Sequence, residues 1–141
     1  MATFNKFRQF VEDIGRKVHN LNADALKVLL TNTAPVNTNA VKGDLTEISA
    51  GNGYTAGGTA AGSPAYSQTT GTGKLTANDV VFTAAGGSIG PFRYAVLYND
   101  TPTSPADPLI GWWDYGSSIT LADGETLTVD FDATSGILAI A

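Results

Sequence analysis

Residues 92–98 read Phe92-Arg93-Tyr94-Ala95-Val96-Leu97-Tyr98, and this short run decides the fold class. Successive side chains of a β-strand point to opposite faces of the sheet. One face of the run therefore carries Phe92, Tyr94, Val96 and Tyr98, and the other carries Arg93, Ala95 and Leu97. Such a dense mixture of aromatic and branched side chains predicts a strand in the centre of a β-structure.

Similar apolar runs lie on both sides of this strand, with turn residues between them. They are Val80-Val81-Phe82, Leu109-Ile110-Gly111-Trp112-Trp113, Thr126-Leu127-Thr128-Val129-Asp130-Phe131 and Ile137-Leu138-Ala139-Ile140. In residues 126–132 the apolar side chains alternate cleanly with Thr and Asp, as expected of a strand with one face in the core. Residues 75–141 are therefore predicted to form a β-meander, within an antiparallel β-sandwich or small barrel.

The N-terminal residues 1–22 predict one amphipathic α-helix. Their apolar residues are spaced by three and four, at Phe4, Phe7, Val11, Ile14, Val18 and Leu21. This spacing produces a single apolar stripe along a helix, and Thr3 is a suitable N-cap.

The middle of the chain changes from strand-like to glycine-rich sequence. Residues 25–31 and, more weakly, 45–48 have strand composition, so residues 25–48 are assigned to the first strands. Residues 49–74 are rich in Gly, Ala, Ser and Thr and contain little apolar bulk, which predicts a long loop or arm. With 141 residues, the whole chain is expected to form a single domain.

Charge is distributed unevenly over a chain whose net charge is −5. Residues 1–42 carry six basic and three acidic side chains, whereas residues 43–141 carry two basic and ten acidic ones. This predicts two surfaces with different electrostatic partners. An acidic body repels phosphates, so nucleic acid is not an expected partner. No apolar run resembles a signal peptide or a membrane span, so no membrane partner is expected either.

Two sequence motifs could in principle carry enzymatic chemistry. Asp130, Asp132 and Thr134 form a D-x-D-x-T pattern, similar to that of haloacid-dehalogenase-like phosphoryl-transfer enzymes. Those enzymes need a parallel sheet and downstream helices, and only seven residues follow Thr134. Residues 51–56 match G-x-G-x-x-A, but more glycines follow instead of the helix that a dinucleotide-binding turn requires.

The remaining candidate groups also favour a protein without catalytic residues, cofactors or metals. The chain has no cysteine, and its one histidine, His19, is expected near the helix C-terminus. Five carboxylates could approach a calcium ion but do not form a calcium-binding loop. Trp112 and Trp113 must point to opposite faces of one strand, so one is expected in the core and the other at an interface or against a sugar.

The chain resembles small virion proteins of tailed bacteriophages. The resemblance lies in residues 86–100, 108–116 and 129–132, together with Phe4-Asn5-Lys6-Phe7, residues 25–28 and residues 31–35. It covers most of the chain and implies a non-enzymatic structural role, without specifying a place in the particle.

A small β-domain with a helix and a long arm suits a capsid decoration (cement) protein, which stabilises the head by bridging subunits of the major capsid protein. The expected partners are the major capsid protein and further copies of this chain, with a trimer as one arrangement. The expected location is the capsid surface, after assembly in the bacterial cytoplasm. The alternatives are a tail-tube, tail-tip or fibre-associated subunit and, more distantly, a carbohydrate-binding β-sandwich module. The residues expected at the interface are Phe4, Lys6, Phe7, Arg8, Val11, Ile14, Gly51, Tyr54, Tyr66 and Trp113.

Overall fold

A computed structural model of the chain describes residues 2–141 and contains ten strands and one α-helix. The elements are β1 (Phe4–Lys6), α1 (Arg8–Gly15), β2 (Leu26–Thr31), a 3₁₀ turn (Lys42–Asp44), β3 (Thr59–Ala61), β4 (Ala65–Thr69), β5 (Thr72–Thr76), β6 (Val80–Thr83), β7 (Ile89–Asn99), β8 (Leu109–Leu121), β9 (Thr126–Val129) and β10 (Leu138–Ile140).

The strands form three antiparallel sheets. The largest has the order β1-β8-β7-β2-β3, and the smaller ones have the orders β10-β5-β4 and β6-β9. The predicted class is thus confirmed: the protein is mainly β, with one short helix near the N-terminus and a sandwich-like arrangement. The sheets of residues 2–141 do not close into a barrel. No helix within these residues is long and apolar enough to cross a membrane.

The main core lies between the large sheet and the two smaller sheets. Val28, Leu30, Ala95 and Leu97 face this core from β2 and β7, and Val80, Phe82 and Val129 meet them from the β6-β9 sheet. The opposite face of the large sheet carries a second cluster, formed by Phe7, Leu29, Val96, Tyr98 and Leu109. Because apolar side chains cover both of its faces, the centre of the large sheet is fully buried.

The C-terminal strands pair in a nested order instead of a meander. The β7-β8 pair is innermost, β6 pairs with β9 outside it, and β5 pairs with β10 outside both. In a meander each strand would pair with the next one along the chain. The nested order is that of one long hairpin folded over itself, as in jelly rolls. It allows strands distant in sequence to cover the same core.

The predicted helix over residues 1–22 is wrong in extent. Residues 4–6 form β1, which pairs with β8 so that Phe4 lies opposite Trp113. The Phe7 N–H then donates to the Ile110 carbonyl, so α1 can begin only at Arg8. The face of this shorter helix that packs on the body carries Phe10 and Asp13, and Val11 is exposed.

The predicted arm over residues 49–74 is also wrong, because this segment is part of the folded body. It contains β3 and β4, and Tyr54 is only 3% exposed. Gly58 packs so closely on β2 that a Cβ there would overlap the Val28 carbonyl. The weaker strand expected at residues 45–48 is absent, since the segment joins β2 only through irregular bonds such as Ile48 N–H to the Leu30 carbonyl.

Candidate interaction surfaces

The N-terminal segment contains both buried and exposed members of the expected interface. Phe7 is completely buried, with its ring centroid 4.5 Å from that of Trp112. Phe4 is partly buried against Trp113, and Ile14 is half-buried. By contrast, Lys6 and Arg8 are exposed, and Val11 is 59% exposed. The surface of this segment is therefore formed by two cations and an apolar side chain.

The exposed side of α1 is held by local ion pairing. Arg16 Nη1 lies 2.8 Å from Glu12 Oε1, one helical turn away. The hydrogen bond from Arg16 is the main cause that lowers the pKa of Glu12 below its usual value, and Gln9 also contributes. Arg16 is thus engaged within the helix, whereas Lys6 and Arg8, like Lys17, form no ion pair among residues 2–141.

Gly51 and Tyr54 belong to a tight turn whose residues hold the protein together. Gly51 forms a bridge with Tyr54 across Asn52 and Gly53, which both have positive φ. No helix follows, so the segment is not a dinucleotide-binding turn. Gly51 is exposed, whereas the Tyr54 ring lies 5.8 Å from Phe82 in the core.

A buried polar network anchors the chain around Tyr54. Its hydroxyl donates to Glu47 Oε1 at 2.7 Å and accepts the Leu30 N–H at 3.0 Å. Glu47 Oε1 also accepts the Gly57 N–H at 2.6 Å, and the Tyr98 hydroxyl donates to the Gly57 carbonyl at 2.6 Å. Burial is the main cause that raises the pKa values of Tyr54 and Tyr98. Both phenols therefore remain protonated and act as structural anchors.

Tyr66 and Trp113 also differ from the expected surface role. Tyr66 is partly buried because it covers Gly73 on the neighbouring strand β5. Trp113 is only 9% exposed and stacks on Phe131, with a centroid separation of 5.6 Å. As expected, Trp112 points to the other face of β8, where it is half-buried against the second cluster. Trp113 is thus the tryptophan of the main core and does not present a flat surface to a sugar.

His19 lies in a buried polar cluster that its sequence position did not indicate. The helix ends at Gly15, so His19 does not interact with the helix terminus. Its Nδ1 lies 3.0 Å from Asn99 Nδ2, which also donates to Asp24 Oδ2 at 2.7 Å. Asn99 Oδ1 accepts the Thr101 N–H, which fixes the amide orientation and makes Nδ1 of His19 an acceptor. The neutral ring therefore carries its proton on Nε2.

Two atoms near this cluster are buried without a hydrogen-bond partner among residues 2–141. They are His19 Nε2 and Asp13 Oδ2. Burial lowers the pKa of His19, although the charges of Asp13 and Asp24 oppose that effect. His19 is 8% exposed and its ring packs against Phe10, with a centroid separation of 5.2 Å, so it serves the fold.

The D-x-D-x-T residues cap a turn. Asp132 Oδ1 accepts the N–H groups of Thr134 at 2.7 Å and Ser135 at 2.9 Å. These backbone bonds lower the pKa of Asp132. The preceding strand β9 pairs antiparallel with β6, so the parallel sheet of the phosphoryl-transfer enzymes is not present here.

The other carboxylates are dispersed. Asp114 forms a two-pronged pair with Arg93, at 2.8 and 3.1 Å, and this hydrogen bonding lowers the pKa of Asp114. Within residues 2–141, no three His, Asp or Glu side chains are close enough together to hold a metal ion. The Arg93–Asp114 pair joins β7 to β8, a role that sequence spacing alone could not reveal.

The concave surfaces are shallow. One, of about 410 Å³, lies between residues 46–52 and 88–91 and contains Glu47 as its one charged side chain. A more apolar groove of about 330 Å³ lies where the exit of α1 meets β4 and β10, and it includes Leu21, Tyr66 and Ile140. Neither groups an acid, a base and a nucleophile.

No family model, curated protein or solved structure matches this chain.

Proposed function

We propose that the protein is a non-enzymatic structural subunit of a tailed-bacteriophage virion, and specifically a capsid decoration (cement) protein. The proposal begins from the resemblance of residues 86–100, 108–116 and 129–132 to small virion proteins. In this role the chain binds the lattice of the major capsid protein at the head surface and stabilises it against the pressure of packaged DNA.

The observation that carries the proposal is the exposed N-terminal surface, formed by Lys6, Arg8 and Val11. It combines two cations that have no ion-pair partner among residues 2–141 with an apolar side chain that is 59% exposed. Residues 43–141 are strongly acidic, with ten acidic and two basic side chains. A subunit with this polarity would dock its basic end on an acidic partner and keep its acidic body outward.

The side chains that could take part in a reaction support the same role, because each of them makes contacts that stabilise the fold. Asp132 caps a turn, Asp114 pairs with Arg93, and His19 is 8% exposed within a hydrogen-bonded cluster. A structural subunit of a virion needs such stabilising hydrogen bonds and ion pairs, and it does not need an accessible reactive group.

The first test is the copy number and location of the protein in purified virions. A decoration protein is expected on isolated heads, in numbers close to those of the major capsid protein. A small multiple of three or six, found on isolated tails and absent from heads, would instead assign it to the tail tube, tail tip or fibres. That result would overturn the capsid proposal.

The second test is a charge reversal of the N-terminal surface. The triple variant Lys6→Glu, Arg8→Glu, Val11→Asp is expected to lose binding to heads assembled without the protein. The control is Val81→Asp, because Val81 is 48% exposed on β6 and lies outside the N-terminal surface. Equal binding by the triple variant and the control would show that this surface is not the contact.

A further inference from the structure

Strand β4 leaves one of its edges unpaired. It is the outer strand of the β10-β5-β4 sheet and pairs with β5 alone. Of its five residues, all except Tyr66 are exposed. An open strand edge presents backbone N–H and C=O groups that another strand can bind.

The direction of these backbone groups can be read from Asn22. Its Oδ1 accepts the Tyr66 N–H at 3.0 Å, so the peptide groups of Tyr66 face away from β5. Alternate residues of a strand point their backbone groups to the same side. The N–H and C=O of Gln68 therefore also face outward. The two-residue turn that pairs Thr69 with Thr72 gives the same assignment.

This edge lacks most of the usual protection against strand addition, and the Asn22 loop covers it only at Tyr66. Natural edges are protected by lysines, prolines, bulges or very short strands. Residues 65–69 contain neither a charge nor a proline, and their register with β5 is regular. The edge strand β1 carries Lys6, and β3 and β10 have three residues each. The one guard on β4 is the Asn22 side chain.

The charges around β4 favour a second copy of the chain as the added strand. Two acidic bodies repel each other over most of their surfaces. Residues 48–78, however, contain no Asp or Glu, and their one charged residue is Lys74. The β4 strands of two copies can therefore pair without opposing any carboxylates of their own residues.

We propose that β4 is a self-association edge. The β4 strands of two copies pair antiparallel about a two-fold axis, with Ser67 opposite Ser67 and Tyr66 of each copy opposite Gln68 of the other. The paired sheets then form a continuous six-stranded sheet. This geometry gives dimers, in contrast to the trimer considered from sequence, and it does not depend on the virion role.

Asn22 limits the strength of this pairing. Tyr66 and the Gln68 of the other copy would exchange two backbone hydrogen bonds, and Asn22 Oδ1 holds the place that the incoming Gln68 carbonyl oxygen needs. Each Tyr66 N–H becomes available only after the Asn22 side chain has moved away. A five-residue edge is also small compared with a standard stable interface. The dimer is therefore expected to form only at high concentration.

The test is sedimentation velocity from about 10 μM to about 1 mM, a range that covers weak dissociation constants. The wild type is expected to dimerise within this range. Gln68→Pro removes an outward N–H but no bond to β5, and is expected to be monomeric. Gln68→Ala is the matched control, because it loses the same side chain but keeps the N–H, and it is expected to dimerise like the wild type.

Two further variants keep the test independent of any folding defect. Ser67→Lys places like charges face to face and changes no backbone group, so it should weaken the dimer in a salt-dependent way. Asn22→Ala frees two donors per dimer and should lower the dissociation constant about tenfold. A wild type that stays monomeric throughout would overturn self-pairing and leave the edge to a strand of another protein. Dimers of Gln68→Pro as strong as those of Gln68→Ala would overturn it as well.

Discussion

Gly58 shows how a single residue attaches the glycine-rich segment to the large sheet. Its φ is +83°, and a Cβ at this position would overlap the Val28 carbonyl. Gly116 has a similar φ of +87°, but no atom lies within 4 Å of its added Cβ. Comparing substitutions at these two glycines therefore distinguishes the cost of backbone strain from the cost of steric overlap.

We expect Gly58→Ala to lower the free energy of unfolding by about 3 kcal/mol or more, because strain of about 1 kcal/mol adds to the cost of overpacking. Gly116→Ala should lower it by only about 1 kcal/mol, the strain alone. Urea unfolding of both variants measures the difference. Equal losses would mean that the contact between Gly58 and β2 is looser than described.

His19 makes stability depend on pH near neutrality. Burial keeps its folded pKa below the value of about 6.5 that it has in the unfolded chain. Between these two values the unfolded state binds more protons, so stability is complete above the unfolded pKa and falls as the pH drops toward the folded pKa. Protonation also converts Nδ1 to a donor, which opposes the Asn99 amide.

The measurement is the urea midpoint between pH 8 and pH 5.5. The chain contains one histidine, so His19→Asn, which can still accept from Asn99, should flatten the profile. The imidazole resonances of the wild type should also titrate below the ordinary value. A wild-type profile as flat as that of the variant would contradict a lowered pKa.

At the scale of elements, two tight turns of the form Xaa-Gly can be compared by exchanging the residue that precedes the glycine in each. Asn52-Gly53 and Thr70-Gly71 both place two successive residues at positive φ, as type I′ turns do. Asn tolerates this conformation, whereas β-branched Thr does so at a cost. The β4-β5 turn is therefore the less favourable of the two.

We expect Thr70→Asn to raise the melting temperature, with a gain in unfolding free energy of about 0.5–1 kcal/mol. Asn52→Thr should be destabilising by about 1–2 kcal/mol, since it also loses the bond from Asn52 Nδ2 to the Ser88 carbonyl. Calorimetry on both variants provides the check. A destabilised Thr70→Asn would mean that turn preference does not control this hairpin.

Strands were predictable where apolar and polar residues alternate along the sequence. Alternation in residues 126–132 correctly placed Val129 and Phe131 in the core and Thr128 and Asp130 in solvent. The prediction of a helix over residues 1–22 was wrong in extent because β1 pairs with β8. Hydrophobic periodicity gives no information about such a long-range pairing.

The contacts of the glycine-rich segment were equally invisible in the sequence. Gly58 packs against the Val28 carbonyl, and the Tyr54 hydroxyl donates to Glu47. The hydrophobic pattern of the sequence does not indicate either contact. The candidate surface was predicted only in part. Lys6, Arg8 and Val11 are exposed, but Phe7, Tyr54 and Trp113 were aromatic residues that the core required.

For the molecule as a whole, the question is whether the chain can fold without residues 50–73. A flexible arm could be removed without loss of structure, but this segment supplies β3, β4 and the buried Tyr54. Its removal would expose β2 and the Leu75 side of the core. We therefore expect the deletion of residues 50–73 to give an unfolded or molten chain, seen as lost dispersion in NMR spectra. A native-like spectrum would restore the arm interpretation.

Two tyrosines within this segment give a finer measure of the same prediction. Tyr54→Phe should cost about 1–3 kcal/mol of unfolding free energy, because it leaves the buried Leu30 N–H without its acceptor and Glu47 Oε1 with the Gly57 N–H alone as donor. Tyr66→Phe is the matched control, since its hydroxyl has no hydrogen-bond partner in residues 2–141 and its loss should be nearly neutral. Because folding of the whole molecule is stabilised by only about 5–15 kcal/mol, the difference is measurable by urea unfolding. Equal effects of the two substitutions would mean that the segment is attached without the Tyr54 network.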